Sequence, residues 1–575
     1  MVREILFNQI FQPEHDARIA ILFEQREITY EELRLLTINT AEKLNALNIA
    51  PGDRVAILLN DSPEFIASFL AIISLGAIAV PINMALRKPE QLSILKDCGA
   101  SVALIEMQAA EGLAAELPDA HGDLKQMLVV DRGADWTLAV PSGVNVQPLD
   151  WAEQRSLGEF PLPGAVEAAA FILYTSGSTG EPKGAVHSKA DIFYTNETYC
   201  REVLSLREGD RLFSSSRLPF AYGLGNAFTF PLLNGFTTVL CREKPTAEVV
   251  AHVIRTYRPT IFFGVPVVYR MLLEYHRAGV RVSKVSEPRA VATGSREITS
   301  IESRAEIENG DARSDPVATA RGSDTVGTLN TSSLRLCISA GEALPAQLGE
   351  AWQKTFGVDV LDGIGSTEML HMFISNHEGE VRYGSSGRLL HGYEAKLVDH
   401  DEQPVARGTE GNLWIRGASA ASHYWQRPET SAQTFVDGWV RTGDLYRQDN
   451  ESFWWHMGRS DDCFKPTGQW VSPVEVEGVL VKCEKIRAAA VVEGFDNNGL
   501  SCVCAFVVRA SDKEEDESIE QALRSSCDSA LPRFKRPRRY IFVSELPYTA
   551  TGKVQRFKLR EQLRSPKSEV QSPTS

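Results

Sequence analysis

At 575 residues the chain exceeds what one hydrophobic core organises, so at least two domains are expected. Hydrophobic content of 43% and charged content of 23% are those of an ordinary soluble globular protein. The 60 basic and 75 acidic residues give a net charge of −15, which argues against bulk nucleic-acid binding while leaving room for a local basic site.

The N-terminal apolar start, Met1 to Phe7, is broken by Gln9 and the Pro13-Glu14-His15-Asp16 cluster too early for a signal segment, and no apolar run reaches the roughly 20 residues that span a bilayer. Apolar runs at Val55–Leu59, Ala77–Val80 and Ser101–Ile105 predict strands, and Pro63–Leu75 predicts a helix. Thr237–Leu240 and Thr260–Phe263 predict two more strands, with a helix over Ala247–Tyr257 between them. Alternating strands and helices imply βαβ units and mostly parallel sheet. Between Ser283 and Asn330 the texture changes to Ser, Thr, Ala, Glu and Arg with no aromatic residue, a composition that cannot offset its ordering entropy; a mobile insertion is expected there. Patterned chain resumes at Ser333–Ile338. A polar joint, Gly458-Arg-Ser-Asp-Asp462, precedes a helix at Val474–Val481, strands at Arg487–Val492 and Ser501–Val508, and a helix at Ile519–Leu531. The expected fold is α/β: a large N-terminal domain of βαβ-type sheets (1–459), a small mobile C-terminal α/β lid domain (460–563) and a disordered tail (564–575). Nine cysteines without metal-like pairing, among them Cys502 and Cys504 in an apolar run, fit a reducing compartment, and the expected location is cytoplasmic.

Five polar segments interrupt this pattern. Tyr174-Thr-Ser-Gly-Ser-Thr-Gly-Glu-Pro-Lys183-Gly184 follows an apolar run and packs three glycines, small hydroxyls and a lysine into eleven positions, a composition suited to wrapping a polyanion. It is not the G-x-x-x-x-G-K-[ST] loop, because Pro182 precedes Lys183 and Gly184 follows it. Ser339-Ala-Gly-Glu-Ala-Leu-Pro345 ends a strand with small residues, where a planar base could approach the backbone; a tight strand-to-helix turn is the other reading. Asp362-Gly-Ile-Gly-Ser-Thr-Glu368 sets the Thr367 hydroxyl beside the Glu368 carboxylate, a hard oxygen ligand of the kind Mg²⁺ shares with phosphates. Trp439-Val-Arg-Thr-Gly-Asp444 places an acid after a strand-like run, where it could accept ribose hydroxyls. Thr549-Ala-Thr-Gly-Lys553 puts a lysine in a hydroxyl/Gly loop near the C-terminus.

In order and spacing, these segments resemble the acyl-adenylate-forming superfamily (acyl-CoA synthetases, adenylation domains and luciferases) over roughly Asn8 to Leu563. Phe220-Ala-Tyr-Gly-Leu-Gly-Asn226, Gly363-Ile-Gly-Ser-Thr-Glu-Met-Leu-His371 and Trp470-Val-Ser-Pro-Val-Glu-Val-Glu477 look most like benzoate-type aryl-CoA ligases. The resemblance implies ATP-dependent, Mg²⁺-assisted activation of a carboxylate to an acyl-adenylate, then displacement of AMP by coenzyme A. It implies that Thr175, Ser176, Gly177, Ser178, Thr179, Gly180 and Lys183 hold the β- and γ-phosphates. Thr367 and Glu368 would hold the α-phosphate and the metal. Gly341, Glu342 and Asp362 would line the nucleotide, Asp444 would hold the ribose, and Arg459 the ribose or phosphate. Lys553 would bridge the carboxylate and α-phosphate. Rotation about Asp461 would bring the Lys465–Trp470 hairpin to the site for thioester formation; that hairpin carries Thr467-Gly468 where a Gly-Gly pair is commoner. Ala221, Tyr222, Ala340, Gly363, Ile364 and His371 would wall the acyl pocket, as a flat slot without an Asp or Arg to pair a charged substituent. At His371 both a hydrogen bond to a ring substituent and packing into the wall beside Met369 and Met372 stay open. The basic run Arg533 to Arg539 could meet CoA phosphates or form a solvated face. Expected partners are an aryl carboxylate, ATP and CoA, with no nucleic acid and no membrane span; a homodimer is common in similar ligases. An aryl-AMP ligase that loads a carrier-protein phosphopantetheine and a non-catalytic nucleotide-binding homologue are the alternatives.

Overall fold

The computed structural model describes residues 5–114, 123–130, 144–149, 168–176, 182–285, 328–460, 462–464, 466, 471–496, 500–511, 515–548 and 554–564. Two large sheets dominate. One is nine-stranded, in the order Arg388–Leu389, Met372–Ser375, Val360–Gly365, Leu336–Ser339, Ile261–Gly264, Arg211–Ser214, Thr237–Val239, Ile19–Phe23, Arg26–Thr29. Its inner pairings are parallel and both its edges antiparallel. The other is eight-stranded, with a parallel block around Arg54–Leu58 and an antiparallel hairpin, Ala169–Ser176 with Pro182–Ser188, toward one edge.

The helix Pro63–Ser74 shows why these sheets hold together. Ser62 caps it, its hydroxyl accepting from the Phe65 amide at 3.3 Å, and Pro63 occupies the first turn, where its missing N–H costs nothing. All twelve of its residues are buried, as expected of a helix apolar on every face. One core cluster contains Phe65, Ile66 and Phe69 together with Ile21 of the nine-stranded sheet and Ile57 of the eight-stranded one. Each such side chain contributes about 1.5–3 kcal/mol on burial.

The predicted strands and helices lie within about three residues of the observed ones, including Pro473–Leu480, Ile486–Phe495 and Ser501–Arg509 in the C-terminal region. There a three-stranded sheet with cores of its own is packed by Pro473–Leu480, Asp516–Ala530 and Arg556–Arg564. The helix from Pro266 continues to Val285, past the expected start of the insertion at Ser283. The rest of that segment up to 327, and the tail from 565, lie outside the described residues. A third, five-stranded antiparallel sheet between Glu394 and Arg459 was not anticipated. All nine cysteines are free thiols; Cys502 and Cys504 are buried as expected, with sulfurs 3.8 Å apart. Among the described residues no helix is long and apolar enough to cross a membrane.

Candidate active site

The Ser/Gly/Lys loop closes an antiparallel hairpin in which Thr175 pairs with Lys183 and Ser176 with Pro182. A strand follows the loop, so no helix N-terminus can supply the anion grip used by P-loop proteins. Lys183 leaves the hairpin with its Nζ 5.8 Å from the centre of the Tyr424 ring. Tyr424 is carried by a two-residue strand, His423–Tyr424, that pairs with the same hairpin opposite Ala185. Its phenol donates to Glu368 Oε1 at 2.7 Å. Burial, reinforced by the neighbouring Glu368 carboxylate, holds that phenol protonated well above its ordinary range, so it serves as a donor. Tyr424 therefore connects the lysine to the carboxylate, a link absent from the sequence reading.

Glu368 and Thr367 sit on the turn after Val360–Gly365. The Glu368 carbonyl accepts from the Ala421 amide at 2.7 Å, and the next carbonyl, Met369, accepts the Ser419 hydroxyl at 2.9 Å. His187, also on the hairpin strand, places Nε2 2.8 Å from the Thr367 carbonyl oxygen and Nδ1 2.7 Å from Asp191 Oδ2. Neither His187 nor Asp191 was singled out from sequence. Period-two geometry gave a signal: Lys183, Ala185 and His187 share one strand face.

Asp444 lies inside the strand Trp439–Gln448 rather than after one, opposite Arg459 on Trp454–Arg459. Arg459 Nη1 is 3.2 Å and His456 Nε2 3.6 Å from Asp444 Oδ1, so Arg459 is engaged with the carboxylate expected to hold the ribose. Ser339–Pro345 follows the strand Leu336–Ser339, and Gly341 takes φ +94°, which a side-chain-bearing residue rarely adopts. Gly341 and Glu342 are exposed. Asp362 is buried, and burial pushes its carboxyl far above the usual range although the Leu344 and Gly363 amides oppose that push. Asp362 Oδ1 and the Ser339 hydroxyl make no hydrogen bond among the described residues. A buried, proton-bearing carboxyl with an orphaned oxygen fits the polar edge of a nucleotide base, and a part-exposed Glu368 fits a hard cation.

Of the predicted acyl wall, Tyr222 and His371 are brought together. The His371 ring centre lies 4.4 Å from Tyr199, 4.7 Å from Phe230 and 5.7 Å from Tyr222, and its Nε2 is 3.1 Å from Asn226 Oδ1. Tyr199 and Asn226 both lie in π-helical turns, Asn196–Leu204 and Gly225–Thr229, a geometry that often marks functional sites. Burial drives the His371 pKa down to about 3, so the ring is neutral. The ring packs against Tyr199 and Phe230 and bonds Asn226 through Nε2, while Nδ1 has no hydrogen-bond partner among the described residues. Tyr222 directs its hydroxyl toward the Ile338 and Gly264 carbonyls at 3.3 and 3.4 Å. Ala221 and Ala340 are buried and Ile364 is half-buried. Gly363 is small for another reason: a Cβ there would lie 2.6 Å from Met372 Sδ and 2.7 Å from the Ile374 carbonyl, so its space belongs to the neighbouring strand.

Gly177, Ser178, Thr179, Gly180, Asp461, Lys465 and Lys553 lie outside the described residues, as do the Ser176 side chain and Thr467 to Trp470. Next to the joint, Asp462 pairs with Arg556 at 3.3 Å and Arg560 at 3.1 Å. In the Arg533–Arg539 run, Lys535, Arg536 and Arg538 are each paired with an acid, at Glu475, Asp528 and Asp496. Such pairing favours the solvated face over a phosphate cradle.

The AMP-binding enzyme family matches residues 10–425, and the AMP-binding enzyme C-terminal domain matches 475–553. The chain belongs to the AMP-binding enzyme family. Among its relatives in this family, the benzoate–CoA ligase of Thauera aromatica is 37% identical over 92% of this chain and 90% of its own length. The anthranilate–CoA ligase of Pseudomonas aeruginosa is 31% identical over 97% and 95%. Among solved structures, the anthranilate CoA ligase AuaEII in complex with anthranoyl-AMP aligns over 98% of both chains with a TM-score of 0.82 and 33% identity. A benzoate CoA ligase from Burkholderia xenovorans LB400 aligns over 96% of this chain and 99% of its own with a TM-score of 0.76 and 32% identity. The family's α/β architecture, a large N-terminal and a small C-terminal part, is the one expected from sequence.

Proposed function

We propose that this chain is an ATP-dependent carboxylate–CoA ligase for benzoate or a substituted benzoate, acting through an acyl-adenylate. The observation that carries the reading is the convergence of Lys183, Tyr424, Glu368 and Thr367 beside a neutral, apolar wall at Tyr222, Ala340 and His371. That juxtaposition sets a polyphosphate grip against an aryl slot. Lys183 and the 175–180 loop grip the β- and γ-phosphates, Thr367 orients the α-phosphate, and Asp444 with Arg459 and His456 receives the ribose. Glu368 would hold Mg²⁺, which when bound offsets phosphate charge. Tyr424 orients the Glu368 carboxylate, and Lys553 meets the charge that develops between the attacking carboxylate and the α-phosphate. The acyl-adenylate is then attacked by the CoA thiolate, releasing AMP. Residues 1–459 and 460–563 would act as two bodies that rotate about Asp461 between the two half-reactions. Uniformly free thiols suit a cytoplasmic setting.

The test is AMP release with ATP, CoA and a panel of aryl and short aliphatic carboxylates. Benzoate-type acids are expected to give CoA-dependent AMP. Preference for aliphatic acids would reject the aryl slot, and turnover that requires a phosphopantetheinylated carrier in place of free CoA would replace the ligase with its carrier-loading counterpart.

A further inference from the structure

His187 and Asp191 are buried, lie outside every role assigned above, and meet the backbone of Thr367. His187 is 1% exposed and stacks at 5.3 Å, 18° from parallel, on Phe171 of the partner strand. Both its ring nitrogens face oxygen. The Thr367 carbonyl can only accept, so Nε2 must carry a hydrogen. Asp191 holds the ring from the other side: Oδ2 lies 2.7 Å from Nδ1, while the Ser188 hydroxyl and amide donate to the carboxylate at 2.6 and 3.2 Å.

The turn so gripped is under strain. Leu370 adopts φ +62°, a left-handed conformation that costs a non-glycine residue energy unless its surroundings impose it, and its amide donates to the same Thr367 carbonyl at 3.1 Å. Lys183 and His187 extend from one face of one strand, the first toward Tyr424 and Glu368, the second to the Thr367 backbone.

We propose that His187 is a positioning residue for adenylate formation: Asp191 anchors the ring through Nδ1, and the Nε2–H holds the Thr367 carbonyl so that the Thr367 hydroxyl and Glu368 carboxylate stay in register with Lys183. The inference rests on the ligase reading, and its test separates the two.

The full-length His187→Leu, His187→Gln, Asp191→Ala and Asp191→Asn variants are compared for pyrophosphate release during adenylation, for thioester formation from supplied aryl-adenylate and CoA, and for melting temperature. His187→Leu is expected to lower kcat for adenylation about 10- to 100-fold and raise the Mg²⁺ requirement, as loss of a partner that orients a ligand does, with KM for the acid nearly unchanged. Thioester formation from supplied adenylate should hold. His187→Gln, whose amide can still reach Thr367 as a donor, should recover most of the loss. Asp191→Asn, able to donate to Nδ1 and leave the hydrogen on Nε2, should stay near wild type, whereas Asp191→Ala should follow His187→Leu in direction. Equal damage from His187→Gln and His187→Leu, or parallel loss of both half-reactions with a falling melting temperature, overturns the proposal. If the unaltered chain adenylates no acid, the ligase reading fails instead, and ¹⁵N spectra of the His187 ring decide the geometry alone. A protonated Nε2 bonded to Thr367 in the unaltered chain upholds it, and an unprotonated Nε2 overturns it.

Discussion

The polar ridge of Lys183, Tyr424 and Glu368 and the wall of Tyr222, Ala340 and His371 are linked by one short stretch of chain, the strand Val360–Gly365 and the turn that follows it. Within that stretch Asp362 is buried and pushed toward neutrality, Glu368 is half-buried and bonded to a phenol, and His371 is buried and uncharged. Burial accounts for the contrast: a charged group removed from water neutralises unless a partner compensates it. On the proposed reading the ridge would discriminate by charge and hydrogen bonds, the wall by shape. A few residues of backbone separate the two, so the acid accepted can change while the adenylate chemistry does not.

The sharpest attempt to break that contrast is to remove the lysine proposed to meet the charge developing at the ridge. Lys553→Ala should cut adenylation about 10²–10³-fold, the usual cost of losing a group aimed at developing charge, while thioester formation from supplied aryl-adenylate persists. Equal loss in both half-reactions would deny Lys553 that role. Glu368→Gln comes next: adenylation should fall about 10- to 100-fold, with the Mg²⁺ titration displaced to higher concentration and KM for the acid unchanged. An unshifted Mg²⁺ titration would mean that Glu368 only anchors Tyr424.

On the wall the expectation reverses. Ala340→Leu should raise KM for benzoate about tenfold, as intrusion into a fitted pocket does, and leave KM for ATP within about twofold. A loss shared between acid and ATP would mean that position 340 serves the nucleotide, as its place beside Gly341 allows.

The same contrast decides how much was readable in the chain. Buried parallel strands announce themselves as apolar runs, and Val55–Leu59 and Ala77–Val80 were located that way. The five-stranded sheet from Glu394 to Arg459 was not. Its strands are half-exposed, and they present Lys396 against Trp414 and Trp439, and Arg441 against Trp414, so cations interrupt the apolar runs of Glu394–Val398 and Trp439–Gln448. In the site, Lys183, Glu368 and Asp444 were legible because glycines and hydroxyls cluster around them. Tyr424, His187 and His456 were not, since each is defined by a partner distant in sequence: Glu368, Thr367 and a residue across a hairpin. Gly363 taught the opposite lesson, a small residue expected to open a slot whose missing side chain makes room for Met372.

The smallest expected effect tests the dryness of the wall and is read in stability rather than rate. His371 titrates at about 3 in the fold because burial disfavours the imidazolium, against an ordinary value near 6.5 in the unfolded chain. Between those limits the unfolded state binds more protons, so this residue's contribution is complete above about pH 6.5 and declines as pH falls toward 3. From pH 7.5 to 5 the unfolded ring gains about 1.5 decades of protonation that the native ring does not share, or about 2 kcal/mol. His371→Gln, which can keep a hydrogen bond to Asn226 without titrating, should remove that increment, read as the difference between the two proteins in urea unfolding at the two pH values. If both lose stability in parallel, the native imidazole takes up its proton as freely as the unfolded one. The wall would then admit water, and discrimination at the acyl end would depend on polar contacts rather than on shape.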